Sequence, residues 1–172
     1  RCADKEASSK MIKLIDKLRK DGDSIGAIIE IIVKNPPKGL GEPIFDKLDA
    51  QLAKAMLSIG AVKGIEFGSG FKSATMKGSE HNDQMEIKNG KVKFLSNNSS
   101  GILGGISTGE DIIIRLAIKP VPSIQIKQKT ITKSGKNTLI QTFGRHDCCL
   151  APRIIPIAES MAALTLADFI MK

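Results

Sequence analysis

The chain has no tryptophan and no tyrosine, and only six phenylalanines. So few ring faces argue against a stacking platform for single-stranded nucleic acid. Its three cysteines (Cys2, Cys148 and Cys149) are too few and too unevenly spaced for a secreted disulfide framework, and a reducing cytoplasm suits them better. There are two histidines, His81 and His146. The latter stands too close to the adjacent Cys148 and Cys149 for all three to face one ion, so no metal site is expected. No signal-peptide pattern is present. No apolar run of about 18 residues escapes polar interruption, so no membrane span is expected. The chain opens on Arg1 instead of methionine, which reads as the tail of a longer protein.

What is present is positive charge. The 172 residues carry 26 Lys and Arg against 18 Asp and Glu, a formal excess of +8. That balance implies anionic partners: nucleic acid, phosphorylated metabolites or an anionic membrane surface. The length suits one domain or a piece of one, burying roughly 70% of its unfolded surface.

Asp4 is the expected N-cap of a helix running to Lys20 and closed by Gly22, with Ala7, Met11, Leu14, Ile15 and Leu18 along one face. Residues 24–34 form a nearly continuous Ile/Val run, expected to be a strand buried on both faces. The Pro- and Gly-rich residues 35–42 exclude helix. Pro43 suits a first helical turn, so a helix is expected over 44–59, ended by Gly60. Residues 62–67 alternate as a strand with one wet face, and a long polar loop follows to Gln84. Its segment Glu80-His81-Asn82-Asp83 reads as a solvated tip. Asn89-Gly90 marks a primed-turn hairpin between residues 85–88 and 92–95. Residues 111–119 form a further strand, and 124–131 with 137–143 a second hairpin around Ser134-Gly135. The last segment, 154–171, is apolar on several sides and is expected to be a helix buried in the core. Helix, strand, helix, antiparallel strands and a final helix make an α+β layered fold.

Three stretches carry residues suited to chemistry. Residues 96–110, with Gly101, Gly104, Gly105 and Gly109, bring backbone N–H groups close to an anion or a planar ring. They match neither the phosphate-binding Walker pattern nor the dinucleotide fingerprint, and an ordinary flexible loop is the competing reading. Lys119-Pro120-Val121-Pro122-Ser123 fixes an extended backbone and presents a lysine and a hydroxyl, although an edge-strand stop explains it equally simply. Gly144-Arg145-His146-Asp147-Cys148-Cys149-Leu150-Ala151-Pro152-Arg153 stands at the mouth of the last helix with a carboxylate and two guanidiniums, where Arg145 suits an anion and Asp147 beside His146 suits proton exchange. The plain alternative is a capped turn with an ion pair.

Taken together, these stretches resemble the chorismate synthase family. The resemblance is carried by residues 39–50 (Gly-Leu-Gly-Glu-Pro-Ile-Phe-Asp-Lys-Leu-Asp-Ala), residues 58–64 (Ser-Ile-Gly-Ala-Val-Lys-Gly) and residues 101–107 (Gly-Ile-Leu-Gly-Gly-Ile-Ser). Gly144-Arg145-His146-Asp147 and residues 156–161 (Pro-Ile-Ala-Glu-Ser-Met) continue it in the family's order. It runs over essentially the whole chain but covers only the C-terminal half of the family's sequence, so residues 1–172 are expected to be half of a single domain. Arg1-Cys2-Ala3-Asp4 then falls in mid-protein, at the lead-in to a helix.

The resemblance implies a β-α-β sandwich, helices between antiparallel sheets, of which this chain holds roughly half, assembled as a homotetramer. It implies a phosphate lyase of the shikimate pathway that converts 5-enolpyruvylshikimate-3-phosphate to chorismate by 1,4-anti elimination. Reduced FMN lends electron density as phosphate leaves, and NADPH is one reductant for it. Flavin contacts carry over to Gly60, Ala61, Gly104, Lys119, Pro120, Val121, Pro122, Ser123 and Arg145. Asp147 matches the carboxylate that handles the proton at flavin N5. The family has Pro where Cys148 stands, which implies a freer Asp147 loop with activity retained. Because the family's catalytic histidines and its Arg-Ser-Ser flavin triplet belong to the other half, these residues alone are expected not to catalyse. A charge at Leu164 is expected to unfold the last helix or break assembly. The rivals are a basic nucleic-acid-binding module, using Lys127, Lys129, Lys133 and Lys136, and a half-length scaffold.

Overall fold

The computed structural model describes residues 2–171. Arg1, read above as part of the helix lead-in, lies outside them, as does Lys172. Helix α1 (Lys5–Lys20) starts where its cap predicts: the Asp4 carboxylate accepts from the amides of Glu6 at 2.8 Å and Ala7 at 3.0 Å. It stops in a Schellman turn. Gly22 is left-handed at φ +71°, and the Asp23 amide donates to the Leu18 carbonyl at 2.9 Å. Its apolar stripe finds no core, for none of its residues is buried.

Three antiparallel strands form the main sheet, in the order β1 (Ala27–Val33), β7 (Ile112–Ile118), β2 (Val62–Phe67). Between them in sequence lie two hairpins: β3 (Met85–Lys88) with β4 (Lys91–Phe94), and β5 (Ile102–Leu103) with β6 (Ile106–Ser107). The third hairpin, β8 (Gln128–Ile131) with β9 (Asn137–Ile140), follows the sheet. Central β7 alternates strictly, burying Ile112, Ile114, Leu116 and Ile118. Register aligns Ile29 with Leu116 and Ile31 with Ile114, so β1 turns the same face inward. Against that face pack helix α2 (Leu48–Leu57), through the fully buried Leu48, Leu52 and Met56, and helix α4 (Ala151–Met171), through Ile154, Ala158 and Ala162. Each large apolar side chain so buried stabilises the fold by about 1.5–3 kcal/mol. One antiparallel sheet and its covering helices are the α+β layers expected.

Three expectations need correction. β1 is not buried on both faces. Its outer residues face the open side of the sheet, where Ile28 is 75% exposed, and Glu30 lies opposite Arg115. The helix expected over 44–59 spans only Leu48–Leu57. Residues 43–46 bend instead, and the Leu48 amide donates to the Gly105 carbonyl at 2.8 Å, so the glycine loop supplies the start of the helix. Nor is α4 wholly buried. One stripe docks on α2 and β1 while Leu164 is 66% exposed, so within this chain a charge at Leu164 would not disturb packing. By length and composition α4 is apolar enough to cross a membrane, yet only a minority of its residues are buried by this chain, all along the docked stripe.

The long loop after β2 is also more structured than a polar tip. It holds a 3-10 turn (Gly70–Thr75) and a one-turn helix α3 (Gly78–His81). Asp83, just beyond, is partly buried and fully engaged: its carboxylate accepts from Ser96 Oγ and the Asn98 amide, both at 2.7 Å, and from the Ser99 amide at 2.8 Å.

Candidate functional site

Most of the residues implied as flavin contacts gather at one end of the sheet. Gly60 and Ala61 form the turn between α2 and β2, with Ala61 held at φ +73°. Beyond the end of β7, the Lys119 amide donates to the Ala61 carbonyl at 2.9 Å, which ties these two stretches together. The Pro-containing run continues from there. Ser24 Oγ donates to the Val121 carbonyl at 2.7 Å, and the Ile25 amide, one residue on, donates to the Cys148 carbonyl at 2.9 Å. Segment 22–25 therefore stitches the Lys119–Ser123 stretch to the Arg145–Asp147 loop. A cavity of about 60 Å³ marks the junction, lined by Ser123, His146 and Asp147 together with Arg19 and Asp23.

Asp147 is gripped by Arg153, not by Arg145. Arg153 Nε lies 2.8 Å from Oδ2, and its second guanidinium nitrogen donates to Oδ1 at 3.1 Å. The ion pair joins the loop to the first turn of α4, where Pro152 fits because no intrahelical N–H is needed there. Arg145 is exposed, and neither it nor Lys119 enters an ion pair among the described residues. Cys148 is buried, with its thiol toward the Ile15 carbonyl at 3.6 Å, and burial followed by the neighbouring Cys149 pushes that thiol above its ordinary range.

Gly104 sits elsewhere. It occupies the turn of the β5–β6 hairpin at φ +60°, with nothing near the position of a side chain. Neighbouring Gly105 touches the start of α2, whereas Gly60 lies past its end, and ten helical residues span about 15 Å. The chain thus brings Gly60, Ala61, the Lys119–Ser123 stretch, Arg145 and Asp147 to one end and leaves Gly104 at the other. A second and wider concavity, about 490 Å³, contains none of them. It opens on the outer sheet face, where Arg115 bridges Glu66 at 3.1 Å and donates to the Gly68 carbonyl at 2.7 Å, with its Nε unpartnered among the described residues.

The family model described as chorismate synthase matches residues 1–171. The chain belongs to the chorismate synthase family. A chorismate synthase of Methanosarcina barkeri is 54% identical over the whole chain, which covers 47% of that relative. One of Microcystis aeruginosa is 53% identical with the same coverage. A solved chorismate synthase structure superposes with a TM-score of 0.76 at 31% identity, covering 95% of this chain and 42% of that one. The chain therefore spans about half the length of the chorismate synthases it matches.

Two pairings were not specified by the sequence reading, one at this site and one in the loop that leads to the glycine hairpin. Arg153 was visible in the cluster, and its place six residues after Asp147, in the first helical turn, was the available signal for the pair. Asp83 gave none, because its partners stand 13 to 16 residues away across a hairpin.

Proposed function

We propose that the chain is the C-terminal half of a reduced-FMN-dependent chorismate synthase and forms one wall of its site. The reaction is the 1,4-anti elimination of phosphate from 5-enolpyruvylshikimate-3-phosphate, in a cytoplasmic homotetramer, with NADPH as one source of reducing equivalents. The observation that carries this reading is the convergence of Ala61, Lys119, Val121 and Asp147 through the hydrogen bonds at Ala61, Ser24 and Ile25, in a chain of that family.

The residues present fit the cofactor. Lys119 and Arg145 are exposed cations without acidic partners among the described residues, suited to the charge-assisted hydrogen bonds a phosphate accepts. Reduced FMN would supply electron density to the allylic system as phosphate departs and recover it as the C6 hydrogen leaves. The chain's residues do the rest. Lys119 and Arg145 bind anionic groups, the Pro120 and Pro122 rings hold the backbone between them extended, and Ala61 fixes where that backbone starts. Asp147, oriented by Arg153, holds or moves a proton near the flavin ring. The 60 Å³ junction is far below the roughly 300–1,000 Å³ that encloses a ligand of this size, so the other half of the family's polypeptide must close the site.

The test measures phosphate release from 5-enolpyruvylshikimate-3-phosphate with reduced FMN under anaerobic conditions. The 172-residue chain should give none, and the same sequence joined to the family's N-terminal half should turn over. In the joined protein, Arg145→Ala should weaken flavin binding by roughly ten- to a hundredfold, matching the ~1.5–3 kcal/mol of a hydrogen bond to a charged group. Turnover by the chain alone, or unchanged flavin affinity in Arg145→Ala, would sink the reading.

A further inference from the structure

Gly104 is the implied contact that the main site does not hold, and what fixes it in space lies in a loop with no assigned role. We propose that Asp83 is a positioning residue for the glycine loop, setting Gly104 where the cofactor must meet it; this rests on the flavin reading of Gly104 given above.

The connection can be followed bond by bond. Asp83 Oδ1 accepts from Ser96 Oγ and the Asn98 amide, both at 2.7 Å, and Oδ2 accepts from the Ser99 amide at 2.8 Å. A single carboxylate therefore closes the 96–99 turn. Asn98 ties the same turn back to the long loop, donating to the His81 carbonyl at 3.0 Å and accepting from Ser69 Oγ at 2.8 Å. The turn then hands its position on. Asn97 Oδ1 accepts from the Gly101 amide at 2.6 Å while Asn97 Nδ2 donates to the Asp111 carbonyl at 2.7 Å. Fully buried Ser100 donates to the Ile113 carbonyl at 2.7 Å, locking the turn onto β7. From Gly101 the β5–β6 hairpin begins, and its turn is Gly104-Gly105.

Only an ionised carboxylate suits this place, because all three ligands are donors. An amide at position 83 would turn one acceptor into a donor pointing at an N–H. Asp83→Asn should therefore loosen the turn while leaving β7 and its neighbours paired. Ser96→Ala removes one bond of the three and should do less.

Amide hydrogen exchange on the 172-residue chain reads this directly. In Asp83→Asn, exchange at Asn98, Ser99, Gly101 and Ile102 should accelerate at least tenfold, with Ile114 and Leu116 unchanged. Ser96→Ala should accelerate the same amides less. Unchanged exchange at these amides in both variants overturns the proposal, whatever the flavin does. The second measurement titrates FMN into the full-length protein that joins this sequence to the family's other half. Asp83→Asn should raise the flavin Kd about tenfold or more with kcat at saturating flavin little altered. A loosened loop with normal flavin affinity, where Arg145→Ala does weaken binding, overturns the link from Asp83 to the cofactor. If neither variant weakens binding while the loop loosens, Asp83's hold on the loop is supported and the flavin reading of the site fails.

Discussion

A carboxylate that accepts three hydrogen bonds responds to acid in a fixed direction. Partial burial pushes the Asp83 carboxyl upward, but bonds from Ser96 and from the amides of Ser99 and Asn98 outweigh it, leaving the group below its ordinary 3.8. A folded value lower than the unfolded one means that the contribution is fully present above the unfolded value and is lost as pH falls through the folded one. Thermal melts of the chain should therefore lose stability below pH 3.8 more steeply than melts of Asp83→Asn. Parallel curves would show that the carboxylate contributes nothing to folding. At this scale the sequence disclosed residue types but not partners. The Arg145, Asp147 and Arg153 cluster was visible as charge at a helix mouth, yet which guanidinium meets the carboxylate depends on the direction in which α4 leaves the loop. Asp83 looked like solvent-facing polarity because its partners come from the far side of a hairpin.

Among the elements, those whose cause is local were the most legible. The Asp4 cap, the Gly22 stop and the Asn89-Gly90 turn, with φ of +53° and +71°, fall where side-chain chemistry puts them. Elements whose limits are set by a distant neighbour were misread. Pro43 is a good first-turn residue, but α2 begins at Leu48 because the Gly105 carbonyl takes that amide. The same contact gives a test. A Cβ at Gly41, where φ is +118°, would collide with the Gly105 carbonyl oxygen. Gly41→Ala should push the glycine loop off α2 and cost about 1–3 kcal/mol in denaturant unfolding, the range of strained or overpacked substitutions. A variant as stable as the parent would show that the loop is not wedged there.

For the molecule as a whole, the α+β class and the family were legible, while the extent of burial was not. Periodicity marks which side chains want a partner, and this chain does not provide one for all of them. Met11, Ile12 and Leu14 on α1, Leu164 and Ile170 on α4, and Ile28 on the open sheet face remain exposed. Exposed apolar side chains on three separate elements suit burial against a partner. The isolated chain should bind a hydrophobic dye strongly and elute above its 18.5 kDa in size-exclusion chromatography, and joining it to the family's other half should reduce the dye signal. Dye binding that is low from the start would mean that these faces close on one another in solution.

The β8–β9 hairpin gives the molecule a handle for long-range forces. Its strands pair mainly with each other, and residues 124–143 include Lys127, Lys129, Lys133 and Lys136 with no acidic residue among them. Half of the formal +8 excess thus rides on one exposed arm, which makes the charge distribution lopsided. A polyanion approaching in dilute buffer exerts a torque as well as a pull, turning the molecule arm-first before any contact forms. At physiological ionic strength the screening length shrinks to about 8 Å, and the arm then swings the molecule only during the last moments of an encounter.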